Sequence, residues 1–433
     1  MDGITAPRSG NPYTPGLLPD AVGGGHRRIA MSAGLDIVRG DGAELYDSAG
    51  TAYIDCLTGY GVAALGHANR RWTDALARQA RQLAVCPFYN GTQLRYLAEL
   101  RDYAFEETDQ VALYSGGTEA TEAAVRLAQT FTGRAGIVTF RESFHGKTAA
   151  VRFAGGQHIE DPAYPAYATG RRILRYPECE NHNVSDYEQC LDDGGDTLAE
   201  LSGLEGKNEI AAVMVEPILG TAGNIPPDRL FFARLRKICT TNNWLLIFDE
   251  SLTAMGRVGK SLASHWYGVV PDITVLGKAI GNGFPLSAVV ADRQVWQNSA
   301  LSKQSATSSS YGGNPMACAA GQAVLAELRQ PGFMENVNSV ASRFAAGLQE
   351  LAGCSDVIAR PRGVGLMLAF DLVDPSSGRL ATQGFCQEMF GRLRAAGLLV
   401  AADVPRVRLY PPFTLSVAQA DQILNILSEV LVC

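Results

Sequence analysis

Two short apolar runs in the chain end beside residues that carry chemistry. Residues 244–248 read WLLIF and residues 273–276 read ITVL. Runs of this length are too short for helices, and continuous apolarity is typical of strands buried on both faces of a parallel sheet. The first run ends at Asp249, and the second is followed by Gly277 and Lys278. Because ligands bind beyond the carboxyl ends of such strands, the sequence predicts that Asp249 and Lys278 face one pocket.

The acid and the lysine of this pocket form a chemically meaningful pair. Lys278 follows Asp249 by 29 positions, which suits a β-α-β connection, and of the six lysines it alone directly follows an apolar strand. Burial favours the neutral amine, which attacks carbonyls and forms Schiff bases. Pyridoxal phosphate (PLP) requires such a lysine and a carboxylate beside its ring nitrogen. A carboxylate at a strand end is also often an N-cap or an ion-pair partner, so both interpretations stay open on this pair alone.

A turn of small residues precedes a predicted helix in the first third of the chain. Residues 111–118 read VALYSGGT, and apolar residues then recur on one helical face. The free N–H groups at the start of a helix, together with its dipole, favour an anion. The turn at Gly117 and Thr118 therefore fits a phosphate group, although an ordinary N-capped helix would show the same pattern.

Two further predicted strands end at candidate site residues. The apolar run at 136–140 leads to Phe144, whose ring could stack on a cofactor or belong to the core, and to His145, which we interpret as structural. The run at 210–215 ends at Glu216. In a parallel sheet, Glu216 would lie on the same rim as the first pair.

The order of the predicted elements indicates an α/β fold with two domains. Residues 1–34, rich in Gly and Pro, are predicted to form an irregular N-terminal arm. Residues 35–75 would begin a small domain, 76–330 would form a large domain with a mostly parallel sheet flanked by helices, and 331–433 would complete the small α+β domain. Within the large domain, the polar stretch 155–207 is predicted to be a surface excursion.

Composition narrows the class of protein. The 433 residues carry a formal net charge of −7, with a pI near 5.5 and no clustered basic tract, which argues against a nucleic-acid partner. Nine scattered cysteines without C-x-x-C spacing predict free thiols in a reducing compartment and no metal site. No apolar stretch approaches the roughly 20 residues that span a bilayer. We therefore expect a soluble, cytoplasmic protein with no membrane partner.

Seven segments of the chain match one set of signatures: SGGTEATEAAVRLAQ, FHGKT, VEPILG, FDESLTAMGRVGK, VLGKAIGNGFPLSAVV, YGGNPMACAA and VRLYPPF. In this order they resemble the class III (ornithine/ω-type) PLP-dependent aminotransferases of fold-type I, and the similarity extends from about residue 35 to the C-terminus. The resemblance implies PLP as the cofactor, small-molecule amine and keto-acid substrates, and a homodimer with shared active sites.

The resemblance also implies roles for the cofactor-binding residues. Lys278 would form the Schiff base with PLP and carry the proton between substrate and cofactor, and Asp249 would pair with the pyridinium nitrogen. The remaining implied contacts are Gly117 and Thr118 to the phosphate, Ser310, where the family usually has Thr, to the phosphate across the dimer interface, and Phe144 on the ring face.

Four residues are implied in substrate binding. Arg408 would bind a substrate carboxylate or, for ω-amino donors, turn to pair with Glu216. Tyr60 occupies a position that contacts the substrate in some members. Lys147 stands where many members have Arg, so that a point charge replaces a bidentate fork.

Two departures from the family pattern bear on the reaction. Ser251 replaces a β-branched residue, and Leu252 replaces the Gln that bonds the cofactor's phenolic oxygen. The leading hypothesis is a ping-pong aminotransferase that moves an amino group from an amino acid or ω-amino compound to a keto acid such as 2-oxoglutarate. The alternatives are a racemase or epimerase on the same scaffold and a non-catalytic ligand-binding homologue, against which the pair of Lys278 and Asp249 argues.

Overall fold

The computed structural model describes residues 35–107, 109–152, 171–177, 195–206, 209–227, 230–401 and 405–432. Within these ranges the strands are β1 (Ile37–Asp41), β2 (Glu44–Asp47), β3 (Ala52–Asp55), β4 (Asp109–Tyr114), β5 (Gly136–Phe140), β6 (Arg171–Leu174), β7 (Ile210–Val215), β8 (Leu245–Asp249), β9 (Ile273–Leu276), β10 (Ser287–Asp292), β11 (Ile358–Val364), β12 (Met367–Leu372), β13 (Leu398–Leu399) and β14 (Arg406–Leu409).

The α-helices in the same ranges are α1 (Thr58–Gly61), α2 (Arg70–Ala80), α3 (Gly91–Ala104), α4 (Gly117–Thr132), α5 (Ala149–Arg152), α6 (Gly195–Ser202), α7 (Phe231–Thr241), α8 (Ala263–Tyr267), α9 (Arg293–Gln297), α10 (Pro315–Leu328), α11 (Phe333–Cys354), α12 (Gln383–Ala395) and α13 (Val417–Leu431). Short 3-10 helices occur at Lys278–Gly281 and Ala300–Ser302.

The largest sheet has seven strands in the order β4-β10-β9-β8-β7-β5-β6. Neighbouring strands from β9 to β6 pair in parallel, whereas β10 runs antiparallel to both β4 and β9. This arrangement confirms the predicted mostly parallel sheet. Because β10 alone is reversed, the carboxyl ends of β4, β5, β7, β8 and β9 lie along one edge.

The central strands are apolar because helices and neighbouring layers cover both of their faces. Every residue of β5, β7, β8 and β9 is buried. Helix α4 packs on this sheet through the face that its periodicity predicts, with Ala120, Ala124, Leu127 and Ala128 fully buried. The apolar runs therefore result from the burial of both faces of these strands, as expected for a parallel sheet.

Two smaller sheets are formed by strands that precede or follow those of the large sheet along the chain. One has the order β1-β2-β3-β13, in which β13 pairs in parallel with β3, so an early and a late part of the chain meet. The other is the antiparallel sheet β11-β12-β14. The division into domains at residues 75 and 330 stays a prediction, and the predicted N-terminal arm lies outside the described residues.

The polar stretch 155–207 contains more regular structure than we predicted. Its described parts include strand β6, which joins the edge of the large sheet beside β5, and helix α6. Residues 155–170, 178–194 and 207 of this stretch lie outside the described residues. Among the helices of the described ranges, none is long and apolar enough to span a bilayer.

Candidate active site

The site lies at the edge of the large sheet where five strands end. Strand β8 ends in Asp249, β9 is followed by Lys278, β7 by Glu216 and β5 by the segment that contains Phe144, while β4 leads into the small-residue turn before α4. The structure therefore brings to one edge the residues that the sequence analysis placed at separate strand ends.

Asp249 is a buried carboxylate with partners on both oxygens. His145 Nδ1 lies 2.8 Å from Oδ2, and Ser251 donates to Oδ1 from its N–H at 3.1 Å and from its hydroxyl at 2.5 Å. Burial by itself would raise the pKa of Asp249, but the hydrogen bonds and charge of His145, the Ser251 hydroxyl and the charge of Lys278 outweigh it and lower that pKa. The carboxylate is thus held ionised, as a protonated ring nitrogen requires.

The lysine opposite this acid has the properties of a nucleophile. Lys278 opens a 3-10 turn with φ of 47°, a left-handed conformation that is uncommon for a residue with a side chain. Burial lowers the pKa of its amine below the ordinary value, and the charges of Asp249 and Glu216 oppose that effect only in part. A lowered pKa increases the fraction of neutral amine.

The turn before α4 adjoins both the acid and a second loop. Gly116 caps the helix, and Glu119 accepts from its N–H at 2.8 Å. A Cβ added to Gly117 would lie 3.9 Å from Ser251 Oγ, and one added to Gly146 would lie only 2.4 Å from Thr118 Oγ1. Ser251, which bonds Asp249, thus lies next to the first turn of α4, where the N–H groups and the helix dipole suit an anion.

Glu216 joins the loops after β5 and β7. Its Oε1 accepts from the Phe144 N–H at 2.7 Å, and its Oε2 accepts from the Gly220 N–H at 3.2 Å. Burial raises the pKa of Glu216 to about 6, although the charge of His145 lowers it and that of Asp249 raises it further. The side chain therefore changes its charge near neutral pH.

The predicted substrate residues differ in how deeply they lie. Arg408 is buried, donates from Nη1 to the Thr221 carbonyl at 3.2 Å, and places its Cζ 5.9 Å from the centre of the Tyr60 ring. Lys147 and Ser310 are both exposed. The pairing of Arg408 with Glu216, the substrate roles of Tyr60 and Lys147, and the contact of Ser310 with a phosphate stay predictions.

Two residues at the site were not recognised from the sequence. We interpreted His145 as structural, yet it contacts the carboxylate of Asp249, and Ser251 was noted only as a departure although its hydroxyl bonds the same group. The position of His145 directly after Phe144, at the end of a predicted strand, was the available signal. Nothing in the sequence pattern indicated the hydroxyl bond.

Leu252 lies in an apolar cluster beside the site. Its side chain is buried with Ile218, Met367 and other residues. A Cβ added at either Gly61 or Gly220 would lie 2.6 Å from a methyl group of Leu252. The departure at position 252 therefore makes close contacts with two loops that border the site.

The described residues fit PLP. A lysine with a lowered pKa lies opposite a carboxylate that is held ionised, and the helix start that suits a phosphate adjoins that carboxylate through Ser251. Lys278 would attach the cofactor, Asp249 would pair with its ring nitrogen, and Gly117 and Thr118 would hold its phosphate.

Comparison with known proteins adds independent findings. Residues 27–431 match the family model described as aminotransferase class-III. Acetylornithine aminotransferase from Caldanaerobacter subterraneus subsp. tengcongensis is 32% identical over 406 residues, covering 91% of this chain and 94% of that protein. A LysW-aminoadipate semialdehyde/glutamate semialdehyde transaminase from Sulfurisphaera tokodaii is 34% identical over 345 residues, covering 79% and 83%.

The solved structures include an amine transaminase from an uncultivated Pseudomonas species in its PLP-bound form. It matches with a TM-score of 0.84 at 26% identity and covers 97% of this chain and 98% of that one. The likeness therefore extends along nearly the whole chain and is not confined to the large sheet.

Proposed function

This chain belongs to the PLP-dependent class III aminotransferases, and we propose from this premise that it moves an amino group to a keto acid such as 2-oxoglutarate in two half-reactions on one site. The observation that carries the proposal is the pair of Lys278, with its lowered pKa, and Asp249, held ionised, at the ends of adjacent parallel strands. When bound, PLP supplies the electron sink for the bonds broken at the substrate carbon.

Residues of the chain would bind the cofactor, orient it and transfer the proton. Lys278 Nζ would attach the cofactor and, once released, would be the base that takes the proton from the substrate carbon and the acid that gives it back. Asp249 keeps the ring nitrogen protonated, and His145 and Ser251 hold the carboxylate in place. Phe144 covers one ring face, fixed by the bond from its N–H to Glu216.

We propose that the donor is an ω-amino group on a chain that also carries a carboxylate. Relatives named for acetylornithine and for aminoadipate semialdehyde or glutamate semialdehyde support this class of substrate. A buried Arg408 beside Tyr60 offers a cation for the carboxylate, and Glu216 offers a negative partner for Arg408 when the bound group lacks that charge.

We also propose a homodimer in which Ser310 reaches the phosphate of the partner's cofactor. In the single chain, Phe88 and Tyr89 are 78% and 84% exposed, and Leu94 and Val85 near them are exposed as well. Apolar groups gathered in this way on one segment are typical of an interface. Sedimentation of the purified protein would show a dimer, and a monomer at working concentration would contradict this part of the proposal.

The experiment that tests the function is a single-turnover measurement. The purified enzyme with bound cofactor is mixed with a panel of α- and ω-amino compounds in the absence of a keto acid, and the absorbance of the cofactor is followed. We expect conversion of the cofactor to its amine form by ω-amino donors such as acetylornithine, and recovery when 2-oxoglutarate is added.

The same measurement tests the alternative reaction, that of a racemase or epimerase. Exchange of the α-hydrogen with solvent, without formation of the amine form of the cofactor, would favour that reaction. Failure of every amine to change the spectrum would instead favour the non-catalytic alternative.

A further inference from the structure

Three arginines of the sheet β11-β12-β14 donate hydrogen bonds to one short loop that follows β7. The loop consists of Thr221–Gly223 and follows Glu216, and each of its carbonyls accepts from a different arginine. The three bonds are Arg408 Nη1 to Thr221 at 3.2 Å, Arg406 Nη1 to Ala222 at 2.6 Å and Arg362 Nε to Gly223 at 2.8 Å.

Arg406 differs from the other two because it also reaches the loop before Phe144. Its Nη1 lies 3.5 Å from Glu142 Oε2. Glu142 has φ of 61°, a left-handed conformation in which glutamate is uncommon and strained. A glutamate held in this conformation, with its carboxylate directed at Arg406, indicates that the ion pair contributes to the position of that loop.

The hydrogen bonds of Arg406 and Arg408 depend on each other, because both are made to the same short loop. The two residues are separated by one position on β14, so their side chains lie on the same face of the strand, and they bond consecutive carbonyls. A Cβ added to Gly223 would lie 2.8 Å from Arg406 Cδ and 2.7 Å from Arg362 Nη2, which shows how closely these side chains enclose the loop. The loop cannot shift at Ala222 without moving the carbonyl that Arg408 bonds.

We propose that Arg406 is a positioning residue for the binding of carboxylate-bearing substrates. It fixes Thr221–Gly223 and, through Glu142, the loop of Phe144, and thereby sets the orientation from which Arg408 meets a carboxylate. This proposal rests on the proposed function, in which Arg408 binds that carboxylate. Lysine would substitute poorly because it keeps the charge but lacks the planar guanidinium whose Nη1 serves both the Ala222 carbonyl and Glu142.

The test measures binding of glutarate to the enzyme with bound cofactor by titration calorimetry. Glutarate is a five-carbon dicarboxylate without a keto group, so it cannot react, and its affinity does not depend on turnover. The variants are R406Q, R406K and E142N. Asn accepts the left-handed conformation, and it removes the charge of Glu142 while shortening the side chain by one methylene.

The matched control is R343Q. Arg343 forms an ion pair with Asp421 at 2.5 Å, with exposures of 33% and 46% for the two side chains, against 24% and 51% for Arg406 and Glu142. Arg343 lies on α11 and Asp421 on α13, and Arg343 also pairs with Glu350 of α11 at 3.8 Å. The control therefore removes the same charge and part-exposed ion pairs without touching the 221–223 loop.

We expect R406Q to weaken glutarate about tenfold, since a hydrogen bond from a charged group is lost, with R406K between it and the wild type. E142N should weaken glutarate about two- to threefold, since a part-exposed ion pair contributes little, and R343Q should leave the affinity unchanged. E142N retains the bond from Arg406 to the Ala222 carbonyl, and R406K retains the positive charge. These two variants therefore test the proposal even if R406Q folds poorly.

Three results would overturn the proposal. Unchanged glutarate affinity in R406Q and R406K, with only a lower unfolding temperature, would make Arg406 structural. Full glutarate binding by R408Q together with its loss in R406Q would make Arg406 the carboxylate ligand itself. Absence of glutarate binding by the wild type would remove the role of Arg408 as well, whereas absence of transamination with this affinity pattern intact would contradict the proposed function alone.

Discussion

The charge of Glu216 should change within the range in which enzymes work, and this can be measured on a single group. Burial raises its pKa from 4.5 to about 6. The substitution E216Q keeps the shape of the side chain and one accepting oxygen but cannot ionise. Its effect therefore separates the titration of this carboxyl from that of other acidic groups.

The shift corresponds to about 2 kcal/mol, since one pKa unit is about 1.4 kcal/mol. Because the folded-state pKa of Glu216 lies above the ordinary value of 4.5, the folded protein binds this proton more tightly than the unfolded chain does. The resulting stability is fully present below pH 4.5 and is lost as the pH rises through 6. Relative to E216Q, the wild type should therefore lose about 2 kcal/mol of stability across that interval.

The direct assay is infrared spectroscopy of the cofactor-free protein. The carbonyl stretch of a protonated, buried carboxyl is separated from the carboxylate bands, and its intensity is followed as the pH is raised. The difference between wild type and E216Q should titrate near pH 6. As a control, E335Q replaces an exposed glutamate in the first turn of α11 and should remove no such band.

A difference band that titrates near 4.5, or none at all between pH 5 and 7, would refute the reasoning. Such a result would mean that the cost of burying the carboxylate is offset by the charge of His145 and by the two N–H groups that donate to Glu216. The negative charge of Glu216 also raises the pKa of Lys278. The same variant should therefore lower the pKa of Lys278 further.

Two other substitutions test the cofactor site. Lys278→Ala should abolish turnover and the covalent attachment of PLP, which is detected by borohydride reduction and mass spectrometry. Replacement of the exposed Lys260 should leave both intact. Attachment of PLP to the Lys278→Ala variant would contradict the assignment. Gly146→Ala would place a Cβ 2.4 Å from Thr118 Oγ1 and should weaken PLP about tenfold or more, as measured by equilibrium binding. Gly133→Ala, with φ of 67° and nothing within 4 Å of the added Cβ, should affect stability only, and equal losses of PLP affinity in both variants would point to a general effect.

The sequence was sufficient to predict the strand ends that carry the chemistry. A parallel strand buried on both faces needs an unbroken apolar run, so β8 and β9 were visible, and with them Asp249 and Lys278. The buried face of α4 was visible for the related reason that a helix covering a sheet repeats its apolar positions every three to four residues. Such features are encoded locally.

Contacts between distant parts of the chain could not be predicted in this way. His145 and Asp249 are 104 positions apart, and their bond depends on the neighbouring order of β5, β7 and β8, which no local pattern records. The reversed strand β10 was missed for the same reason, because its place between β4 and β9 is set by the tertiary fold.

Strand β11 was missed because its sequence is unlike a strand. Residues 358–364 read IARPRGV, with a proline and two arginines where an alternating pattern would be expected. The structure accommodates them with a shift of register between Ala359 and Arg362 and a left-handed Arg360. Both arginines bond the buried Asp371, and Arg362 also holds the 221–223 loop. One of the polar residues that break the strand pattern, Arg362, thus connects this sheet to the loop after Glu216.

Leu252 shows how a departure from the family pattern can be matched by its surroundings. Its methyl groups lie where a Cβ at position 61 or 220 would be, so the leucine can be buried only because both positions are glycine. Gly61 follows Tyr60, and Gly220 precedes the loop bonded by Arg406 and Arg408, so the apolar side chain packs against the segments beside two predicted substrate-binding residues, Tyr60 and Arg408. Replacing Leu252 by the longer, polar Gln would bring an amide into this apolar cluster and against these two backbones. Leu252 therefore helps to set how closely the segments at Gly61 and Gly220 pack beside the candidate site.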